Sequence, residues 1–301
     1  MKTLLEKLHG IARRDQILEG EPMARHTTFR VGGPADVLFM PEGADQLIAA
    51  LEAARSAGVP AYVIGNGSNL IVRDGGVRGL VIAIGEGMSE IARCGDTVEA
   101  QAGAALARVA AFAQSEGLAG LEFASGIPGT LGGGCAMNAG AYGGQLSDVL
   151  IDARVLTGGA VRTLSREDMQ MGYRTSLPLR TGGIVLSARF ALTPGAPEAI
   201  AARMRELNAR RRDKQPLNLP SAGSTFKRPE GHFAGALIEQ AGLKGLSVGG
   251  AQVSQKHAGF IVNAGGATAS DVLALIAEVQ DAVQARSGIR LETEVRVLGE
   301  D

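Results

Sequence analysis

The placement of glycine constrains this chain more than any other feature. The run GIPGTLGGG, Gly126 to Gly134, holds five glycines and leads directly into MNAGAYGG. No ordinary turn requires so many small residues in succession. Such a run lets backbone come close to other backbone, or to a large flat or phosphorylated ligand. A second break, GNGSN (Gly65 to Asn69), sits inside YVIGNGSNLIV between two apolar, β-branched runs. In a Rossmann site the glycine fingerprint joins a strand to a helix whose N-terminus meets the pyrophosphate. Here the chain returns to strand-like residues instead. A strand-loop-strand break still binds phosphate through successive N–H groups of a tight turn, and Asn66, Ser68 and Asn69 add side-chain donors. Alone, this break reads equally as a polar hairpin turn, and one or two glycines of the longer run read as a packing seam between helix and sheet. Two such loops in one half of the chain predict a dinucleotide-sized ligand.

Composition narrows the alternatives. With 301 residues the chain buries a substantial core in two or three units. A formal net charge of -1 gives no global attraction to nucleic acid or an anionic membrane, so any anion must be bound locally. The 2 cysteines, Cys94 and Cys135, lie in unrelated contexts, which provides neither a disulfide framework nor a metal-ligand spacing. Cys135 reads as a small packing residue. Without a charged-then-apolar leader or an apolar run of membrane length, a soluble, cytoplasmic protein is expected, and a monomer is the default.

Along the chain, GADQLIAALEAARSAGV predicts a helix with Leu47, Ile48 and Leu51 on one face, ending at Gly58. Strands are expected at AYVIG, LIV, GLVIAIG and TVEAQAG, and an Ala-rich helix ends near Gly117. IDARVLTGGAVRTL predicts a hairpin across Thr157-Gly158-Gly159. LTPGAPEAI marks a boundary, where Pro197 opens a helix with a basic far end terminated by Pro216. A helix from Ser270 to about Arg286 and a last strand, RLETEVRVLG, complete the chain. In that strand Leu291, Thr293, Val295 and Val297 should share one face, with Glu292, Glu294 and Arg296 on the other. Short, locally connected strands mixed with helices argue for α+β over a doubly wound parallel sheet.

Several segments together, HTTFRVGGPAD, VIGNGSNLIV, GIPGTLGGG with MNAGAYGG, GYRTS, AGSTFKRP and ETEVRVLGE, occur in an order that resembles the bacterial UDP-N-acetylenolpyruvoylglucosamine reductases. The resemblance spans about Arg25 to Glu300. It implies an FAD-binding fold of the vanillyl-alcohol-oxidase (PCMH) type in two subdomains, residues 1–60 and 61–195 with the core at about 25–192, followed by an α+β substrate domain over 196–301. It also implies that Gly65, Asn66, Gly67, Ser68 and Asn69 wrap the pyrophosphate of FAD. Gly126, Ile127, Gly129, Thr130, Gly132, Gly133, Asn138 and Gly140 would lie along the flavin and its ribityl phosphate. Flavoproteins of this fold that attach flavin covalently often carry a His in or near the first loop; Asn-Gly-Ser-Asn stands here, so FAD is expected to be noncovalent. NADPH as hydride donor follows from the resemblance alone, ping-pong kinetics follow from NADPH and substrate sharing one site in turn, and no metal is expected.

The chemistry implied is reduction of an enolpyruvyl ether, which needs a hydride, an acid for the carbon left electron-rich, and cations or donors for a developing enolate. By resemblance Ser224 is the proton donor to C2, Arg174 stabilises the enolate-like charge with its planar fork, and Glu294 assists. Read bare, Ser224 is a turn cap, Arg174 a packing residue and Glu294 part of a solvated face. Tyr173 and Lys214 are expected to hold substrate. Arg210, Arg211 and Arg212 either favour a diphosphate or simply complement the helix dipole. YRTSLPLRTGGIVLSARF passes directly to the next strand, as in the shorter branch of the family, which lacks a substrate-covering tyrosine loop. An oxidase of the same flavin fold would keep both glycine loops but has no need of Arg174, Ser224 and Glu294.

Overall fold

The computed structural model describes residues 1–301, which fall into two units, each assembled from separate stretches of chain. The first comprises Met1–Ile17, Phe39–Asn66 and Ile82–Arg211; the second comprises Leu18–Leu38, Gly67–Val81 and Arg212–Asp301. The sequence boundary expected between 195 and 196 lies upstream of this division, because the helix Pro197–Lys214 stays with the first unit as far as Arg211.

The first unit is organised by a five-stranded antiparallel sheet in the order Ala160–Ser165, Leu150–Thr157, Ile184–Ala191, Thr97–Gln101, Ile91–Cys94. The predicted hairpin is present, with Thr157 opposite Ala160. Gly158 and Gly159 take φ of 57° and 78°, the left-handed pair that a tight primed turn demands. Apolar strand residues Val98, Val155 and Phe190 meet Leu106 and Val109 of the helix Leu106–Ser115 in one core. Leu131 and Cys135 join that core from a helix the sequence did not suggest, Leu131–Met137, which lies inside the long glycine run. Glycine is a poor helix former, yet packing explains this helix. A Cβ on Gly132 would come within 2.9 Å of the Ala102 Cβ, and one on Gly134 within 2.9 Å of Leu106 Cδ1. Close approach to the core therefore outweighs intrinsic propensity.

In the second unit, the strands Ser247–Val248, Ala251–Val253 and Ile261–Asn263 form an antiparallel sheet. Val253 and Ile261 share a core with Leu237 and Ile238 of the helix Ala234–Gln240 and with Val272, Leu275 and Val279 of the helix Ala269–Ser287. The latter helix has matching signals at both ends. Thr268 and Asp271 form a capping box, Asp74 accepts from the N–H groups of Ala269 and Ser270 at 2.8 Å each, and Gly288 closes it at φ 74°. No helix of the chain is long and apolar enough to cross a membrane.

The last strand departs from its expected pattern. Only Arg296–Leu298 is regular strand, and Val297 is 45% exposed although Leu291 and Val295 are buried. The cause is a change of pairing partner. Up to Thr293 the segment runs beside Phe226 and Lys227, whereas Arg296–Leu298 pairs in parallel with Leu70–Val72. At the switch the Thr225 carbonyl accepts from both Glu294 N–H at 2.8 Å and Val295 N–H at 3.5 Å, which breaks the alternation of faces.

Candidate active site

In the second unit, backbone pairing brings two predicted residues together. Ser224, half-buried, immediately precedes Thr225, whose carbonyl receives the Glu294 N–H. Thr225 itself is 1% exposed and held on three sides: its N–H donates to the Gly259 carbonyl at 2.9 Å, its Oγ1 accepts from Ile261 N–H at 3.1 Å, and Phe226 beside it bridges to Thr293. Ser224 and Glu294 therefore sit on neighbouring chain segments whose relative register is fixed. Asn69 adds a further tie, because its Nδ2 donates to the Glu294 carbonyl at 3.0 Å and its own carbonyl accepts from Arg296 N–H at 3.0 Å. Within this unit, part of the first glycine loop is joined directly to the Glu294 segment.

Arg174 lies in the first unit on a tight turn in which Gly172 and Thr175 exchange two backbone hydrogen bonds, at 3.0 and 3.3 Å. Its φ of 55° is unusual for a residue with a side chain. The guanidinium lies 5.3 Å from the ring centroid of Tyr173, within cation–π range, and its Nη2 is 3.5 Å from the Gly140 carbonyl. Tyr173 is 56% exposed. Lys214, at the end of the helix Pro197–Lys214, is exposed as well.

The glycine loops separate into packing and open positions. Gly65 approaches Thr130 so closely that an added Cβ would stand 2.1 Å from Thr130 Oγ1, so the two glycine segments converge in the first unit. Gly132 and Gly134 face the core, as above, while Gly133 is exposed and an added Cβ would meet only Thr130 Oγ1, at 3.8 Å. Gly129 and Thr130 are fixed by Leu106 N–H donating to the Gly129 carbonyl at 2.9 Å and by a bridge between Ala105 and Thr130. Gly67, in the second unit, takes φ 58°, and an added Cβ would stand 2.2 Å from the His26 carbonyl oxygen.

Sequence reasoning treated Arg210, Arg211 and Arg212 alike, and the structure distinguishes them. Arg210 and Arg212 are exposed, whereas Arg211 is 9% exposed. Arg211 Nη1 donates to the Gly126 carbonyl, Asn208 one helical turn earlier donates to Ser125 Oγ at 3.2 Å, and Arg210 and Arg211 both lie over the Tyr142 ring at 5.0 and 5.8 Å. Arg211 Nε is buried with no hydrogen-bond partner in the chain, and burial pulls the guanidinium pKa down. The spacing Asn208, Arg211 was the available signal, since residues three apart share a helix face. A glycine-lined approach, an open Gly133 and a buried cation beside the Gly126 carbonyl fit an anionic, flat cofactor such as FAD.

Cys135 has its thiol pushed up to about 12 by burial, while Cys94 is exposed. A thiol reagent at pH 8 should titrate one cysteine in the native protein and two in denaturant. Two fast-reacting thiols in the native state would remove Cys135 from the core.

Comparison with known proteins adds independent information. Residues 215–298 match the family model described as UDP-N-acetylenolpyruvoylglucosamine reductase, C-terminal domain, and residues 35–165 match an FAD binding domain. The UDP-N-acetylenolpyruvoylglucosamine reductase of Agathobacter rectalis is 54% identical, across 100% of this chain and 98% of the relative. That of Levilactobacillus brevis is 53% identical over 95% and 94%. Among solved structures, the UDP-N-acetylenolpyruvylglucosamine reductase of Thermus caldophilus aligns with a TM-score of 0.81 at 38% identity, covering 94% of this chain and 98% of the other.

Proposed function

The chain belongs to the UDP-N-acetylenolpyruvoylglucosamine reductase family, and from that premise we propose which of its residues carry the reaction. It is an FAD-dependent oxidoreductase of peptidoglycan precursor synthesis with NADPH as co-substrate. Noncovalent FAD, when bound, supplies transfer of hydride from NADPH to C3 of the enolpyruvyl group. The remaining requirements fall to the protein. Ser224 Oγ delivers the proton to C2, completing the reduction of the double bond. Arg174 and Glu294 stabilise the charge that develops on the adjacent carboxylate, with Tyr173 packing on the guanidinium. Lys214 holds the anionic substrate. Gly65, Asn66, Gly67, Ser68 and Asn69 hold the pyrophosphate of FAD. Gly126, Ile127, Gly129, Thr130, Gly132, Gly133 and Gly140 admit the flavin by close backbone approach, supported by Arg211 at Gly126. The FAD-binding region is assigned to residues 1–60 and 61–195 with the adjoining helix as far as Arg211, the substrate domain to the remainder up to 301, and the protein works as a cytoplasmic monomer without nucleic-acid or membrane partners.

The observation that supports this assignment is the hydrogen bond from Glu294 N–H to the Thr225 carbonyl, which holds the backbone segments of Ser224 and Glu294 in one register. It is tested by anaerobic absorbance spectroscopy. The yellow protein should bleach with NADPH and recover its colour with UDP-N-acetylglucosamine-enolpyruvate. Recovery only with oxygen would favour an oxidase of the same fold, and failure of folded protein to bind supplied FAD would overturn the reading of the glycine loops.

A further inference from the structure

Asn138 is one of the few polar residues of the first unit that are almost wholly buried, at 2% exposure. Its side chain is consumed by the protein: Nδ2 lies 3.1 Å from Gln145 Oε1, 3.2 Å from Ser147 Oγ and 3.2 Å from the Gly172 carbonyl, while Oδ1 accepts from Ser147 N–H at 3.0 Å. Its backbone, at φ 45° and ψ 60°, ends the helix Leu131–Met137. Glycine would serve that left-handed cap as well or better. What only the asparagine adds is the amide, and one of its acceptors is the carbonyl that opens the Arg174 turn. The same turn is tied a second time, since Ser176, fully buried, donates to the Ala136 carbonyl at 2.7 Å. The Arg174 turn thus hangs on the last turn of the glycine-rich helix from both of its ends, and Arg174 holds a left-handed backbone that only firm surroundings maintain.

We infer that Asn138 is a positioning residue for Arg174, acting through the Gly172 carbonyl, and that its side chain does not hold FAD. The inference rests on the proposed role of Arg174. It reassigns the one carboxamide of the second glycine segment, from the cofactor to the step that reduces the substrate.

The test is Asn138→Gly, which keeps the left-handed cap and deletes the amide, examined by stopped flow in the FAD-loaded enzyme. FAD affinity and the rate of flavin reduction by NADPH should stay within about threefold of wild type, while reoxidation by UDP-N-acetylglucosamine-enolpyruvate slows on the order of 10- to 100-fold, as a misplaced catalytic group predicts. Asn138→Asp, of the same shape but with an acceptor facing the Gly172 carbonyl, should show the same split. In an Arg174→Ala background, Asn138→Gly should add almost no further slowing, because the two act on one step. Loss of FAD binding in Asn138→Gly, or reoxidation at the wild-type rate while Arg174→Ala is slow, would overturn the inference. Normal reoxidation in Arg174→Ala would instead remove the assignment of Arg174 itself, and the inference with it.

Discussion

In Ser224→Ala, reoxidation of the enzyme by UDP-N-acetylglucosamine-enolpyruvate should fall by about 10³-fold, the scale of a lost general acid, while reduction by NADPH is nearly preserved. The split follows from where the serine is expected to act. Reduction by NADPH involves no proton delivered to substrate, whereas hydride arriving at C3 leaves C2 needing one. Alanine removes only the hydroxyl. The segment carrying it remains anchored, because Thr225 keeps its hydrogen bonds to Gly259, Ile261 and Glu294 through groups the substitution does not touch. Structural damage would act on both half-reactions. Stopped-flow absorbance distinguishes the outcomes, and equal loss in the two halves would sink the proton-donor role.

A second large effect is expected from Gly67→Ala in the first glycine loop. At φ 58° an L side chain is already disfavoured, and the Cβ would stand 2.2 Å from the His26 carbonyl oxygen and 2.9 Å from the Thr27 α-carbon. Both are backbone atoms, so no rotamer change relieves the contact. Left-handed strain plus this displacement should cost on the order of 3 kcal/mol, read as a lower midpoint in urea, together with loss of at least about tenfold in FAD affinity from the deformed loop. Gly43→Ala is the matched control. Its φ of -173° is extended backbone and nothing lies within 4 Å of an added Cβ. A Gly67→Ala protein with wild-type stability and wild-type FAD affinity would show that this loop has neither role.

Where local pattern and tertiary structure agree, the sequence was readable. The Gly158-Gly159 hairpin and the helix Ala269–Ser287 carry their own turn and cap chemistry, so their limits were visible without knowledge of anything distant. The helix Leu131–Met137 was hidden because three successive glycines argue against helix, and only contact with Ala102 and Leu106 makes the small residues necessary. The face alternation of the last strand failed at Val297 for a similar reason, since the partner changes from the Phe226 segment to Leu70–Val72, which are remote in sequence. At the site, the family motifs pointed to Ser224, Arg174 and Glu294. They did not reveal that Asn69 grips the Glu294 carbonyl or that Arg211 alone among three arginines is buried. Those facts depend on which face of an element turns inward, and a motif contains no information about that.

The partition of the chain has a consequence for biosynthesis. The second unit takes its first two stretches from residues before 82 and the rest from residue 212 onward, and Asn69 meets Glu294 across 225 positions. As the polypeptide leaves the ribosome, Leu70–Val72 must wait for almost the entire remainder of the chain before their parallel partner Arg296–Leu298 exists. Long-range pairing of this kind is slow and leaves strand edges uncovered meanwhile. The antiparallel sheet between Ile91 and Ala191, by contrast, is complete in one continuous stretch and can form first. The order of emergence therefore sets the Gly126 to Gly134 run on an early scaffold, while the Glu294 segment joins its partner Asn69 much later.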